Sequence, residues 1–319
     1  MVNVVTITAG GALGVCVGGV LLRQWLKGGR CYSEAQMDGK TVIITGCNTG
    51  IGKETAKDLA KRGARVIMAC RNVEKAKEAQ LDVIKESGSS NVVVKKLDLA
   101  SMKSIREFVE ELKKEEKSLD VLVNNAGVMM CPRWETEDGF EMQFGTNHLG
   151  HFLLTLLLLD LIKASAPSRI VNVSSLAHQF GKINFDDIMS KEKYSDMDAY
   201  GQSKLANVLF TRELATRLKG SGVTSYAVHP GGVDTDLARH RDSYPFYLRV
   251  LLPLMVPFIK TSEEGAQTNI YCSVDEKAGQ ETGLYYSDCA VKQAAKQGRD
   301  DEAARKLWDL SLKLVGLEE

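Results

Sequence analysis

The run Thr41-Val42-Ile43-Ile44-Thr45 ends in Gly46-Cys47-Asn48-Thr49-Gly50-Ile51-Gly52 and passes into the amphipathic segment Lys53–Arg62. A strand, a glycine-rich turn and a helix, in that order, constrain this chain more than any other feature. Glycine at a strand-to-helix turn lets the backbone approach a pyrophosphate, and the helix N-terminus favours the phosphate charge. The spacing is Gly-x-x-x-Gly-x-Gly rather than the commoner Gly-x-Gly-x-x-Gly. A plain left-handed turn would also use glycine, so the context has to decide. That context repeats the same alternation. Apolar runs at Arg65–Ala69, Val92–Val94, Val121–Val123 and Ile170–Val173 are separated by amphipathic segments such as Val73–Glu86 and Ser101–Lys117. Such alternation predicts a parallel sheet covered on both faces. The expected fold is α/β, a doubly wound, Rossmann-like parallel sheet in one domain spanning residues 31–319. No internal repeat or low-complexity linker divides it.

The second strand ends at Cys70-Arg71, with no Asp or Glu at its end. In a dinucleotide fold an acidic residue there binds the ribose 2′-hydroxyl, whereas an arginine accommodates a 2′-phosphate. Arg71 therefore predicts NADP(H) over NAD(H). Further along, Tyr200 and Lys204 stand four apart in a window, Asp198–Phe210, that has no proline and one glycine. On a helix they share a face. A free tyrosine, with a pKa of about 10, is a poor proton donor at neutral pH. A cation held beside it favours the phenolate and brings proton transfer toward working pH. Tyr-x-x-x-Lys pairs also occur on many helix surfaces, so this one gains meaning only beside the nucleotide turn.

Composition excludes several function classes. Forty-one basic and 41 acidic residues cancel, and no aromatic-studded basic patch stands out, so no nucleic-acid partner is expected. The seven cysteines are irregularly spaced and include no Cys-x-x-Cys. They read as reduced thiols, not as a disulfide framework or a zinc site. His148 and His151 lack a His-Glu-x-x-His setting, and no metal is expected. Val4–Leu22 carries no charge, although Thr6, Thr8 and five glycines dilute it; the run is nearly long enough to cross a bilayer. No Lys or Arg precedes Arg23, while Arg23, Lys27 and Arg30 follow the run, which argues against a cleavable signal and for a cytosolic main domain. Residues 1–30 are expected to be a hydrophobic anchor, residues 1–22 contacting membrane, with a basic flank. Gly10, Gly14 and Gly18 either present a small-xxx-small face that would pair two chains into a homodimer or merely weaken the helix. The sequon Asn172-Val173-Ser174 falls inside a strand-like run, in keeping with a domain outside the lumen.

In order and at their separations, Thr45-Gly-x-x-x-Gly-x-Gly52, Asp98-Leu99, Asn124-Asn125-Ala126-Gly127, Asn147, Ser175, Tyr200-x-x-x-Lys204 and Pro230-Gly231 resemble the motif series of the short-chain dehydrogenase/reductases. Within that superfamily, Gly46–Thr55, Asn124–Pro132, Asn147–Thr155 and Ser203–Glu213 are most similar to the membrane-bound retinol dehydrogenases that prefer NADP(H). The resemblance implies that Gly46, Asn48, Thr49, Gly50, Ile51 and Gly52 hold the diphosphate, and that Asp98 meets the adenine. Asn125, Ala126 and Gly127 would line the cofactor cleft, and Pro230, Gly231 and Val233 would cover the nicotinamide. Asn147, on a helix expected from Asp138 to Ala164, would hold a water linking Lys204 to solvent. Ser175 would hydrogen-bond the substrate oxygen, Tyr200 would exchange the proton, and Lys204 would bind the nicotinamide ribose. Plainer roles compete: Asp98 as a cap for the helix starting at Ser101, Asn147 as a satisfied core amide, Ser175 as a turn hydroxyl. The choice of Ser175 over Ser174 rests on the resemblance alone. Cys131 and Trp134 are expected to border the pocket.

Tyr244–Ile259 is rich in aromatic and large aliphatic residues and broken by Pro245, Pro253 and Pro257. The resemblance makes this a substrate lid, suited to a long lipophilic molecule; core packing or a second membrane contact would use the same composition. Retinal, or a medium- or long-chain aldehyde, is the expected substrate, reduced by NADPH at the endoplasmic reticulum or the mitochondrial inner membrane. A hydroxysteroid or general carbonyl reductase would carry the same motifs. So would a non-catalytic nucleotide-sensing scaffold, though the intact Ser175, Tyr200 and Lys204 speak against it. Asp300–Glu319 predicts an amphipathic helix with Leu307, Leu310, Leu314 and Leu317 on one face and no chemistry.

Overall fold

The computed structural model describes residues 27–233 and 259–318; the expected anchor at 1–22 and the lid residues 244–258 lie outside the described residues. Strands β1 (Thr41–Thr45), β2 (Arg65–Cys70), β3 (Val92–Lys96), β4 (Val121–Asn124), β5 (Ser168–Val173), β6 (Val223–His229) and β7 (Leu284–Ser287) pair in parallel. A short β8 (Ala290–Lys292) turns back antiparallel on β7. The sheet order is β3-β2-β1-β4-β5-β6-β7-β8. The order reverses beside β1, where Val42, Ile43 and Ile44 pair with Val121, Leu122 and Val123. At such a switch point the connections diverge to opposite faces, and a crevice opens outside the carboxyl ends of the strands.

Both faces are covered, which is why the inner strands read as unbroken apolar runs. Side chains alternate all the same. Ile43, Ile67, Leu122 and Ile170 enter one core, and Val42, Ile44, Val66, Met68, Val123 and Val171 enter the other. Helices α1 (Gly50–Lys61), α2 (Val73–Ser87) and α6 (Ser262–Val274) close the second core. Helices α3 (Met102–Glu115), α4 (Met142–Ala164), α5 (Asp196–Arg217) and α7 (Asp301–Leu314) close the first. Among the described residues α4 alone is long and apolar enough to cross a bilayer, but 72% of its apolar window is buried against the sheet and neighbouring helices. It is a core helix.

Four local details differ from expectation. Helix α4 begins at Met142 rather than Asp138, because the Glu141 carboxylate accepts from the Gln143 and Phe144 amides (2.9 and 2.7 Å). Its next turn, Gly145–Leu149, is a π-helix, a departure that carries no sequence period of its own. The cap of α3 is Ser101, which accepts from the Ser104 amide; Asp98 accepts from Ala100 N instead. Helix α5 extends beyond the expected window at both ends and is buried on nearly every side from Ala199 to Ala215, so no amphipathic stripe marks its limits. Residues 31–35 are tied to the body: Cys31 N donates to Gln267, and Arg62 donates to the Ser33 and Ala35 carbonyls.

Candidate active site

At the switch point lies a cleft of about 600 Å³. Gly46, Asn48, Thr49, Gly50, Ile51, Gly52, Arg71, Asp98, Asn125, Ala126, Gly127, Ser175, Tyr200, Lys204, Pro230, Gly231 and Val233 all line it. Of the residues expected at the cofactor and the reacting centre, only Asn147 does not line the cleft; it is fully buried behind the wall.

The nucleotide side is shaped by the absence of side chains. Gly46 has φ +63°, and a Cβ there would stand 2.7 Å from Ala126 Cβ; a Cβ on Gly52 would stand 2.5 Å from Asn125 Nδ2. The β1 and β4 turns are therefore in contact, and only glycine permits it. Thr45 fastens them. Its hydroxyl accepts from the Asn125 and Ala126 amides, both at 2.9 Å. Its own proton then goes to His151 Nε2 at 2.9 Å rather than to the Val123 carbonyl at 3.5 Å. That leaves the His151 proton on Nδ1, which donates to the Asn147 carbonyl at 3.0 Å. Burial, reinforced by Lys204, lowers the His151 pKa to about 4, so the ring is neutral. No glycine motif announces this bracket; its partners are 106 residues apart.

At the outer end of the cleft Arg71 and Lys75, both lining it, have no ion-pair or side-chain hydrogen-bond partner among the described residues. Three other cations, on α1 and β2, are paired: Lys53 with Asp82, Lys57 with Glu54 and Glu86, and Arg65 with Glu116. Lys75 is not marked by any sequence motif; its place in the first turn of α2, just after the strand end that carries Arg71, is the available signal.

On the other side, α5 presents Tyr200 and Lys204 to the cleft, 5% and 3% exposed. The Lys204 ammonium lies 5.6 Å from the centre of the Tyr200 ring and donates to the Val173 carbonyl at 3.2 Å. Burial lowers its pKa to about 8, which leaves it mostly protonated at neutral pH. Ser174 and Ser175 separate cleanly. Ser174 is buried and its hydroxyl donates to the Lys204 carbonyl at 2.7 Å. Ser175 is half-buried on the cleft wall, and its oxygen accepts from Ala177 N at 3.2 Å, leaving its proton to be donated. The Asn147 side chain is a clamp: Oδ1 accepts from Val128 N at 2.8 Å, and Nδ2 donates to the Val128 carbonyl and to Ser203 Oγ at 2.9 and 3.0 Å. Both amide protons are committed, so Asn147 is the satisfied core amide, and its side chain has no donor left for a water. Cys131 and Trp134 do not line the cleft; Cys131 is buried and its carbonyl accepts from the Tyr194 hydroxyl. Among the described residues no group of His, Cys, Asp and Glu could hold a metal ion.

Comparison with known proteins agrees with this geometry. Residues 40–244 match the short chain dehydrogenase family. The chain is 54% identical over 296 residues to retinol dehydrogenase 11 of Mus musculus, covering 93% of this chain and 92% of that one. It is 52% identical to retinol dehydrogenase 12 of Homo sapiens with the same coverage, and 52% identical to human retinol dehydrogenase 13 over 96% and 94% of the two chains. A crystal structure of an uncharacterized protein from Mycobacterium Paratuberculosis superimposes with a TM-score of 0.74 at 35% identity, covering 91% of this chain and 98% of that one. A Pseudomonas aeruginosa RhlG/NADP complex superimposes with a TM-score of 0.63 at 25% identity, covering 79% and 95%. The nucleotide-shaped cleft, the Tyr–Lys pair within it and this breadth of likeness have one reading: the chain belongs to the short chain dehydrogenase family and is an oxidoreductase that works with a nicotinamide cofactor.

Proposed function

We propose that this protein interconverts retinal and retinol, or a similarly lipophilic aldehyde and its alcohol, with NADP(H), and that reduction is its working direction. The observation that carries the reading is the convergence of Tyr200, Lys204 and Ser175 on the cleft opened by the glycine turn, in a chain half identical to retinol dehydrogenases along nearly its whole length. The residues present fit the cofactor. The Gly46 and Gly52 positions would be blocked by any Cβ, and backbone amides at the start of α1 would hold a diphosphate. Arg71 and Lys75 would take a 2′-phosphate, with no carboxylate ending β2 to repel it. When bound, the nicotinamide supplies or accepts the hydride; the protein contributes orientation and the proton. In reduction Ser175 donates a hydrogen bond to the substrate oxygen, and Tyr200 delivers its phenolic proton to that oxygen. The Lys204 charge stabilises the phenolate left behind. Asn147 acts at one remove, holding Val128 and Ser203 in place beside this group. The residues preceding the described domain would anchor it in a membrane, the endoplasmic reticulum first, with the domain facing the cytosol.

The test is a substrate panel with the purified full-length protein. NADPH should be oxidised by all-trans-retinal at low concentration, and faster than NADH. A preference for short polar carbonyls would reject the lipophilic reading, and a preference for ketosteroids would favour a hydroxysteroid reductase. Deleting residues 1–22 should release the protein from membranes in carbonate; retention as firm as that of the full chain would remove the anchor.

A further inference from the structure

We propose that His178 is a positioning residue for Ser175, its Nδ1–H holding the serine in its donating geometry, with the Ala295 contact at Nε2 serving to fix the tautomer and seat the ring. The inference rests on the role of Ser175 proposed above. His178 lies in the 3-10 turn Leu176–Gln179, which Ser175 caps, and is fully buried. Its Nε2 is 3.1 Å from Ala295 N. A backbone amide can only donate, so Nε2 is the acceptor and the ring proton resides on Nδ1. Nδ1 is 2.7 Å from the Ser175 carbonyl, which also accepts from the backbone amide of His178 at 3.2 Å. The serine is thus gripped at its own carbonyl by two donors, while Ala177 N engages its hydroxyl oxygen. The free proton of that hydroxyl has the cleft before it.

The grip is itself held from far along the chain. Tyr285 packs its ring 4.7 Å from the imidazole centre. Gln297 Nε2 lies 2.7 Å from the Gln179 carbonyl and 3.2 Å from that of His178. The strand-end loop carrying Ser175 therefore takes its conformation from residues more than a hundred positions downstream. The imidazole touches both: it donates to the serine and accepts from Ala295, and the neutral Nδ1–H tautomer is required for each.

Two replacements separate these contacts. His178→Asn keeps a donor near Nδ1 and loses the distal acceptor; His178→Gln keeps the distal acceptor and loses the donor. With sites counted by NADPH-binding stoichiometry, His178→Gln should lower kcat for retinal about ten- to a hundredfold, the cost of a misplaced reacting group, with little change in NADPH affinity. His178→Asn should restore kcat to within a few-fold of wild type. In a Ser175→Ala background, His178→Gln should lower kcat no further, because its effect passes through that hydroxyl. Equal losses in the Asn and Gln variants, or losses that multiply with Ser175→Ala, would overturn the inference. A Ser175→Ala enzyme with near-normal turnover would instead remove the parent assignment, and this one with it.

Discussion

The two walls of the cleft are built from different materials. On the β1–α1 wall, function is carried by backbone. Gly46 and Gly52 exclude side chains so that two turns can touch, and the charged residues there, Arg71 and Lys75, stand exposed at the rim. On the α4–β5–α5 wall, function is carried by buried polar side chains spent on one another: Asn147 on Val128 and Ser203, Ser174 on the Lys204 carbonyl, Lys204 and Asn207 on the Val173 carbonyl. A diphosphate needs donors and room, which backbone supplies. A proton needs one acid in one place, and in a low-dielectric wall that demands every neighbouring polar group be satisfied. Damage to the first wall should therefore appear in cofactor affinity, and damage to the second in turnover or stability.

The largest effect expected is at Tyr200. Tyr200→Phe should lower kcat by about two to four orders of magnitude, the range for a lost general acid, with NADPH affinity nearly unchanged. Near-normal turnover would end the assignment and the contrast with it. On the other wall, Gly46→Ala places a Cβ against Ala126 at positive φ, a strain of about 1–3 kcal/mol. The NADPH dissociation constant should rise about ten- to a hundredfold, while kcat at saturating cofactor stays close to wild type. A loss confined to kcat would show that the glycine wall governs chemistry instead. Arg71→Asp should raise KM for NADPH much more than KM for NADH; equal changes would take Arg71 out of cofactor choice.

Acid should find the proton-handling wall first. The folded pKa of His151 is depressed to about 4 by burial, against an ordinary value of about 6.5 in the unfolded chain. Between those values the unfolded chain binds the extra proton, so stability is full above about pH 6.5 and falls as pH drops toward 4. At pH 5 this one ring costs about 2 kcal/mol of stability. His151→Asn, which keeps the donor toward the Asn147 carbonyl and does not titrate, should reduce the pH 7-to-5 loss by that amount in thermal or urea unfolding. An unchanged slope would mean that His151 is not held neutral.

The same contrast explains what the sequence disclosed. The glycine turn, the buried β-branched strands and the Tyr200–Lys204 spacing are local patterns, so the sheet, the glycine positions, Arg71 and the Tyr–Lys pair could be read from neighbours in the chain, whereas Asp98, Ser175 and Pro230 were legible only through the family resemblance. The second wall is not local. Thr45 meets His151 across 106 positions, and His178 meets Ala295 across 117, and nothing in the spacing of either residue declares the partner. The π turn at Gly145–Leu149 has no hydrophobic period to betray it. The Asn147 amide is spent on the Val128 backbone and Ser203, an arrangement that depends on where Val128 falls and that no spacing declares.

Ser174 and Ser175 bring the contrast down to adjacent residues. Spacing cannot rank them, yet one hydroxyl is buried against the Lys204 carbonyl at 2.7 Å and the other lines the cleft. Ser174→Ala removes a neutral hydrogen bond and should cost about 1 kcal/mol of unfolding free energy, with turnover per NADPH-binding site within about twofold of wild type. Ser175→Ala should do the reverse, lowering turnover while unfolding changes less, since the hydroxyl it loses is half-buried and its one bond, from Ala177 N, is 3.2 Å long. Measuring both quantities on both variants fixes which wall each serine belongs to. If Ser174→Ala is the one that loses turnover, the hydroxyl facing the substrate is the wrong one, and the wall that handles the proton must be redrawn around the Lys204 carbonyl.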